Sequence, residues 1–299
     1  MQIYLYGMIC CSNSFKLNDF PVPDEYMEIQ QSYRFPGGET GTCATVLASL
    51  GADVKVDGTH IGKNSAQMIR EFYRDKTVNL DSLTFDDSFD GLEDYILIAG
   101  DTRTPFGTFG HFFAEAYGSN IRHWNKPKES DIAGCSVAAI DDCFGDDSEL
   151  AAALCVKLEK PYVTIDCRYD SYIHKHSAVS VISGEGISNL YPEQTREELF
   201  PFYAENGGGL TIITNGGGEF SYGRKGGEVK RFRPFRVPVA STLGAGDSFK
   251  AGCTYALAMG MDDDALVRFA SACAAVAISR YPLQLTPPTL KEIEELLAR

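Results

Sequence analysis

The fold of this chain is constrained most strongly by short apolar runs that alternate with segments of helical spacing. Runs that are apolar on both faces are typical of a parallel sheet, because crossover helices cover both of its sides. Residues 148–158, between two of these runs, have the helical spacing that a crossover needs. The pattern predicts an α/β fold with a central, mostly parallel sheet flanked by helices. The clearest runs are residues 137–140, 162–165, 179–182 and 210–213.

Two further strand-like regions lie outside this alternation. Residues 26–35 are rich in β-forming side chains and end at a Pro-Gly-Gly sequence, and residues 94–99 precede a Gly-Asp-Thr turn and a returning strand. We expect them to form a small β-sheet lid, built from about residues 10–35 and 85–110, on a single domain spanning residues 1–299. A lid at the C-terminal edge of the main sheet would exclude water from a ligand bound there.

Composition limits the classes of partner. The 41 acidic residues outnumber the 27 Lys and Arg, which gives a net charge of −14, so we expect no nucleic-acid partner. No apolar run approaches membrane-spanning length and no secretion signal is visible, so we expect no membrane partner and a cytoplasmic location. The nine cysteines include no C-x-x-C pair and the five histidines no H-E-x-x-H, so we expect buried thiols in a reducing compartment and no structural metal.

The stretch from Ser241 to Cys253 predicts a glycine-rich turn followed by a helix. Gly244, Ala245 and Gly246 are small enough for their N–H groups to crowd together at the start of that helix. A helix N-terminus has unpaired N–H donors and the positive end of a dipole, so it can hold an anion. Asp247 then has two interpretations: a general base for an attacking hydroxyl, or a cap of the helix.

Several glycine-rich or turn-forming segments occur in a fixed order along the chain. They are Gly7, Phe20-Pro-Val-Pro23, Phe35-Pro-Gly-Gly38, Gly100-Asp-Thr-Arg103, Ile213-Thr-Asn-Gly216 and Ser241-Thr-Leu-Gly-Ala-Gly-Asp-Ser-Phe249. Together they resemble the ribokinase-like (PfkB) carbohydrate kinase family. The Gly-Ala-Gly-Asp sequence is the specific motif, and the resemblance extends over essentially the whole chain. It implies a ribokinase-like fold.

The resemblance also implies ATP-dependent phosphorylation of a hydroxyl on a small sugar. Asp247 would be the general base, and the N–H groups of Gly244, Ala245 and Gly246 would form the anion hole for the transferring phosphoryl group. Mg²⁺ would be the second cofactor, held through water molecules by Glu185, which could instead be a surface residue. The residues expected to contact ATP are Thr214, Asn215, Gly216, Thr242 and Ser271.

The substrate side departs from the family. Ser12 stands where the family usually has Asp, Thr42 where it has a substrate-binding Asn, and Cys10 where a polar residue is common. These losses argue against ribose, adenosine or a plain hexose and favour an unusual sugar derivative, such as an amine-linked or acid sugar. The residues expected to line the substrate site are Cys10, Ser12, Gly37, Gly38, Thr42, Arg103 and Arg168, although the two arginines could also be solvated charges.

Two functions stay open at this point. A ribokinase-like protein with a decayed sugar site could bind a metabolite without turnover, but the retained Asp247 favours a kinase. Ser241 replaces the Asp that usually begins the motif, and Pro282 stands where a monovalent-cation loop often has Gly, which makes K⁺ activation doubtful. Exposed lid strands tend to pair with other strands, which predicts a homodimer through the lid.

Overall fold

The structure is a computed structural model that describes residues 1–100, 102–119 and 121–299. Asn120 and Asp101, which belongs to the predicted hairpin turn, lie outside the described residues. The strands are β1 Gln2–Gly7, β2 Cys10–Leu17, β3 Gln31–Gly37, β4 Asp53–Gly58, β5 Ile61–Gly62, β6 Val78–Asn79, β7 Phe85–Asp86, β8 Glu93–Ala99, β9 Thr102–Gly107, β10 Val137–Asp141, β11 Tyr162–Ile165, β12 Val179–Ile182, β13 Leu210–Ile213, β14 Phe220–Gly223 and β15 Lys230–Phe232. The helices are α1 Gly38–Ser49, α2 Ala66–Tyr73, α3 Phe109–Ser119, α4 Glu129–Ala133, α5 Asp146–Lys157, α6 Tyr172–His176, α7 Gly184–Leu190, α8 Arg196–Asn206, α9 Ala245–Ala258, α10 Asp263–Ile278 and α11 Leu290–Leu297.

The main sheet has the strand order β15-β14-β13-β12-β11-β10-β1-β4-β6. Its strands from β13 through β6 pair in parallel, and β14 and β15 add two antiparallel strands at one edge. The predicted mostly parallel central sheet is therefore confirmed. Because parallel strands end at the same edge, the loops that follow β1, β10, β11 and β13 lie on one side of the molecule.

Both faces of the main sheet are buried. Along β1, Ile3 and Leu5 belong to one apolar cluster, which includes side chains of α1, α9 and α10. Tyr4 and Tyr6 point to the other face and belong to a second cluster with residues of α3 and α5. Successive side chains of a strand alternate between faces, so this separation places helices on both sides of the sheet, as predicted.

A smaller sheet, which we call the lid sheet, has the order β3-β2-β8-β9. Strands β2 and β8 pair in parallel, and the other two pairs are antiparallel. The predicted strand over residues 26–35 is wrong at its start, because the strand begins at Gln31. Its partner β2 extends only to Leu17, and the ladder ends at the pair of Lys16 and Gln31. The N–H of Gln30 still donates to the carbonyl oxygen of Lys16 at 2.8 Å, but residues 26–29 lie outside the strand. Pairing of lid strands between two copies of the chain stays a prediction.

The cysteines are free thiols, and all except Cys143 are buried, as the sequence predicts. Strands β5 and β7 form a separate two-stranded sheet beside the main one. Within the described ranges, no helix combines the length and the apolar character needed to cross a membrane.

Candidate active site

Helices α1 and α9 begin beside each other at the edge where β1 and β10 end. Thr40, in the first turn of α1, donates its N–H to the carbonyl oxygen of Met8 at 3.1 Å and its hydroxyl to Asp141 Oδ2 at 2.7 Å. A Cβ atom added to Gly244, the N-cap of α9, would lie 3.2 Å from Thr42 Cγ2. The fold thus brings the predicted catalytic helix next to the predicted substrate helix.

The N-terminus of α9 begins with a left-handed turn. Gly244 has φ +76°, which favours glycine, and a Cβ atom there would lie 2.5 Å from Leu283 Cδ2. No side chain caps the helix, so its first-turn N–H groups can face an anion. Ala245 departs from this pattern, because its N–H donates to the carbonyl oxygen of Thr242 at 3.3 Å. Asp247 lies in the first turn but is not the N-cap, which argues against the capping interpretation.

A buried ion pair lies beside this turn, between residues far apart in the sequence. The ammonium group of Lys250, one helical turn after Asp247, pairs with Asp141 Oδ1, and both side chains are only 1% exposed. Since Asp141 Oδ2 accepts the hydroxyl hydrogen of Thr40, both carboxylate oxygens already have protein partners. Sequence patterns did not indicate Lys250 as a site residue; its signal was a lysine within a run of small and apolar helical residues.

Two acidic side chains near Lys250, Asp247 and Glu39, have pKa values far from their usual range. Burial raises the pKa of Asp247 to about 7, although the positive charge of Lys250 opposes this rise and the nearby Asp141 adds to it. Burial and Asp141 raise the pKa of Glu39, in the first turn of α1, to about 8. Burial disfavours the charged form of Lys250, but Asp141 and the other acidic groups keep its pKa above the ordinary value. At neutral pH Asp247 is therefore near its titration point, as an efficient general base should be.

The predicted substrate residues Cys10, Ser12 and Gly37 meet where the lid sheet joins the main sheet. Cys10 lies opposite Gly37 across β2 and β3, and its Sγ is 3.8 Å from Ser12 Oγ. Gly38 begins α1 directly after Gly37. These contacts place three of the predicted substrate residues together at the start of the predicted substrate helix.

Asp94 on β8 was not indicated by the sequence as a site residue. It lies opposite Ser12 across β2 and β8 and is 8% exposed. Its Oδ1 has no hydrogen-bond partner among the described residues, and burial raises its pKa. A carboxyl group therefore stands beside the position from which the family's aspartate is missing. Only the strand register, which a single sequence does not reveal, could have indicated it.

Arg103 on β9 reaches from the lid sheet to two predicted cofactor residues. Its Nη1 donates to Thr242 Oγ1 at 3.2 Å, and its Nη2 pairs with Glu185 Oε2 at 3.3 Å. Ser241, which replaces the family's Asp, accepts the N–H of Leu243 at 3.2 Å and so supports the turn before α9. The lid sheet and the glycine-rich turn are thereby in contact through one guanidinium group.

The predicted nucleotide residues Thr214, Asn215 and Gly216 follow β13 at the same edge of the sheet. The N–H of Thr214 donates to the carbonyl oxygen of Ile182 at 2.8 Å, which extends the pairing with β12 by one residue. Asn215 Nδ2 donates to the carbonyl oxygen of Glu219 at 3.2 Å. Gly216 has φ +52°, and a Cβ atom added there would meet no described atom within 4 Å. This loop therefore has an accessible surface, and its ATP contacts stay a prediction.

Two predicted site residues, Arg168 and Ser271, differ from the others in their contacts or in their exposure. Arg168 pairs with Asp170 at 3.2 Å, and its guanidinium carbon lies 5.3 Å from the ring centre of Tyr191. In the described part of the chain, no contact joins Arg168 to the other predicted substrate residues. Ser271 is buried in α10 and only 4% exposed, which leaves little of its surface for a nucleotide.

Comparison with known sequences finds a family match in the C-terminal part of the chain. Residues 166–290 match the profile of the pfkB family carbohydrate kinases. The chain is also 34% identical over 107 residues to the 5-dehydro-2-deoxygluconokinase of Bacillus licheniformis, a match that covers 36% of this chain and 31% of that protein. The matched region thus spans about a third of the length of such curated relatives.

Comparison with solved structures covers the whole chain. A putative ribokinase from Agrobacterium tumefaciens is similar with a TM-score of 0.82 at 18% identity, over 99% of this chain and 97% of that one. The Arabidopsis thaliana ribokinase solved with ribose and ATP is similar with a TM-score of 0.79 at 16% identity, over 99% and 98% of the two chains. At such identities the likeness concerns the fold. The chain therefore has the ribokinase fold. Residues 166–290 match the pfkB carbohydrate kinase profile, in agreement with the resemblance seen in the motifs.

Proposed function

We propose that this protein is an ATP-dependent kinase that phosphorylates a hydroxyl group of a small sugar or sugar derivative. The observation that carries the proposal is the position of Asp247. It lies in the first turn of α9, next to the N–H groups of Gly244 and Gly246, on the helix whose start contacts Thr42 of α1. A carboxyl group with a pKa of about 7 beside a helix N-terminus combines a base with an anion site.

The residues would divide the reaction between them. Asp247 takes the proton from the substrate hydroxyl. The hydroxyl oxygen bonds to the γ-phosphorus of ATP as the bond from that phosphorus to ADP breaks. The N–H groups of Gly244 and Gly246 stabilise the negative charge on the transferring phosphoryl group. Lys250 neutralises Asp141, which otherwise would raise the pKa of Asp247 further.

The residues proposed for the cofactors lie in the loop after β13, at the start of α7 and in the turn before α9. Bound Mg²⁺ would neutralise part of the phosphate charge, and Glu185 suits it because its carboxylate is 71% exposed at the start of α7. Mg²⁺ keeps several waters and needs few direct carboxylates. Asp166 suits it less, since its two oxygens accept the N–H and the hydroxyl of Ser183 at 2.6 and 2.8 Å. Thr214, Asn215, Gly216 and Thr242 would contact ATP.

The substrate side supports a sugar derivative that presents hydrogen-bond donors. Among the described residues, Asp94 Oδ1 has no hydrogen-bond partner and Glu39 makes no hydrogen bond. The Asp94 oxygen and the carbonyl oxygen of the Glu39 carboxyl, which is mostly protonated at pH 7, can therefore accept from a hydroxyl or amino group. An amine-linked sugar suits these acceptors better than an acid sugar, whose carboxylate would depend on Arg103. The relatives named 5-dehydro-2-deoxygluconokinase make 5-dehydro-2-deoxygluconate a necessary member of any substrate panel.

ATP consumption with amine-linked, acid and neutral sugars tests the proposal. We expect turnover with one class, reduced by about 10²–10⁴-fold in Asp247→Asn, because general-base catalysis contributes that much. Asp75→Asn, at an exposed carboxylate, is the matched control and should keep full activity. Tight binding of a sugar without any turnover would instead support the metabolite-binding alternative. Equal activity in Asp247→Asn would contradict the assignment of the base.

A further inference from the structure

His60, Asp86 and His123 form a cluster separate from the residues assigned above. One ligand atom from each lies within 4.8 Å of the others. Asp86 Oδ2 is 3.8 Å from His60 Nδ1 and 4.0 Å from His123 Nδ1. Two imidazole nitrogens and a carboxylate oxygen are a donor set that Zn²⁺ and similar divalent transition metals bind.

The two distances from Asp86 Oδ2 to the histidine nitrogens leave a space between the three ligand atoms. Both are longer than a hydrogen bond, which needs about 3.2 Å or less. A tetrahedral Zn²⁺ with bonds of about 2.0–2.2 Å holds its ligand atoms roughly 3.3–3.5 Å apart, so a small contraction would complete the geometry. His60 Nδ1 is buried and has no hydrogen-bond partner in the described ranges, so it has a lone pair or a hydrogen still to be satisfied.

Backbone pairing brings the three residues together, and hydrogen bonds orient the Asp86 carboxylate. The backbone N–H of His60 donates to the backbone carbonyl oxygen of His123 at 2.8 Å. Gly62 of β5 lies opposite Asp86 of β7. Ser88 donates its N–H at 2.9 Å and its hydroxyl at 2.6 Å to Asp86 Oδ1, which leaves Oδ2 for the histidines. Hydrogen bonds of this kind orient the ligands of protein-bound metals.

The cluster is accessible enough for an ion to enter. The side chains of His60, His123 and Asp86 are 17%, 16% and 24% exposed, so a water molecule can supply a fourth ligand. The ring of Phe89 stacks on His123 with centres 4.0 Å apart, which restricts rotation of that imidazole. The cluster is thus partly exposed to solvent, and one of its two imidazole rings is stacked on an aromatic side chain.

Asp86 and His123 flank the segment that contains β8 and β9 of the lid sheet and helix α3, whereas His60 lies next to the main sheet. Asp86 precedes β8, His123 follows α3, and His60 follows β4 of the main sheet. We infer that this chain binds one divalent transition-metal ion, Zn²⁺ in preference, through His60, Asp86 and His123. The ion ties both ends of the segment that contains β8, β9 and α3 to the main sheet. Sequence spacing gives no sign of it, because the ligands come from three distant segments.

Titration of the chelator-treated, full-length protein with Co²⁺ tests the inference. We expect one equivalent to bind with the visible absorption of nitrogen and oxygen ligands and without the charge-transfer band that thiolates produce. His60→Gln and His123→Gln should weaken binding by about 100-fold or more, and Ser88→Ala, which keeps all three ligands, by about 10-fold. His111→Gln, at an exposed histidine of α3, is the matched control and should bind as the unmodified protein does.

Limited proteolysis provides a second measurement that does not depend on any kinase activity. Zn²⁺ should slow cleavage within β8, β9 and α3 in the unmodified chain and have no effect in His123→Gln. The inference is overturned if Co²⁺ does not bind, if a thiolate band appears, or if His60→Gln and Ser88→Ala bind with unchanged affinity. It is equally overturned if Asp247→Asn, rather than the histidine variants, abolishes binding, since the ion would then occupy the candidate active site.

Discussion

Lys250 and Asp141 form a buried ion pair that joins helix α9 to the end of strand β10. Each side chain is 1% exposed, so neither charge is stabilised by water. The hydroxyl of Thr40 completes the hydrogen bonding of Asp141 and extends the network to α1. Three elements that carry the candidate active site thus depend on one pair of charges.

Lys250→Met should lower the free energy of unfolding by about 3–5 kcal/mol, because Asp141 would remain buried without its counter-charge. The double variant Lys250→Met/Asp141→Leu should recover most of that loss, since it removes both charges. Urea unfolding of the two variants and the unmodified protein measures the difference. A loss below about 1 kcal/mol in the single variant would contradict the prediction that Asp141 needs Lys250 as its counter-charge.

The activity should depend on the titration of Asp247. Its carboxyl group has a pKa of about 7 and must be deprotonated to accept the hydroxyl proton. We therefore expect kcat/KM to fall about tenfold per pH unit below about pH 6.5 and to level off above about pH 8. The profile is measured with a substrate from the panel, with Asp75→Asn as control. A flat profile over this range would argue against Asp247 as the base.

Glu39→Gln should weaken the dependence of stability on pH. Because the pKa of Glu39 rises from 4.5 to about 8 on folding, the folded chain holds a proton that the unfolded chain releases. The free energy of unfolding should therefore fall as pH increases from about 4.5 to about 8, and Asp247 adds to this trend. Thermal unfolding at several pH values compares the two proteins. Identical slopes would show that Glu39 does not titrate in this way.

Asp94→Asn should raise KM for the sugar substrate by about 10–100-fold and leave KM for ATP unchanged. The reason is the loss of a charged acceptor, since a hydrogen bond to a charged group contributes about 1.5–3 kcal/mol. Asp90→Asn, at an exposed carboxylate paired with Lys63, is the matched control. An equal rise in both KM values would instead indicate a general disturbance of the lid sheet.

The parts that could be predicted depend on residues close together in the sequence. The parallel strands appear as apolar runs, and the helix after Gly244 follows from a glycine turn and helical spacing. The strand over residues 26–35 was wrong at its start, because strands need a partner, and the partner β2 ends at Leu17. Local pattern alone does not reveal where a partner strand stops.

The sequence by itself determined the α/β fold, the resemblance to the pfkB carbohydrate kinases and the position of Asp247 at a helix N-terminus, because backbone preferences and short motifs specify them. Only the tertiary structure decided which charges meet. Lys250 forms an ion pair with Asp141, and Asp94 lies beside Ser12. The ring of His60 lies near that of His123. Each contact joins segments that are distant in the sequence. The effect of a charge depends on burial and on neighbours within a few ångströms, and folding alone creates both.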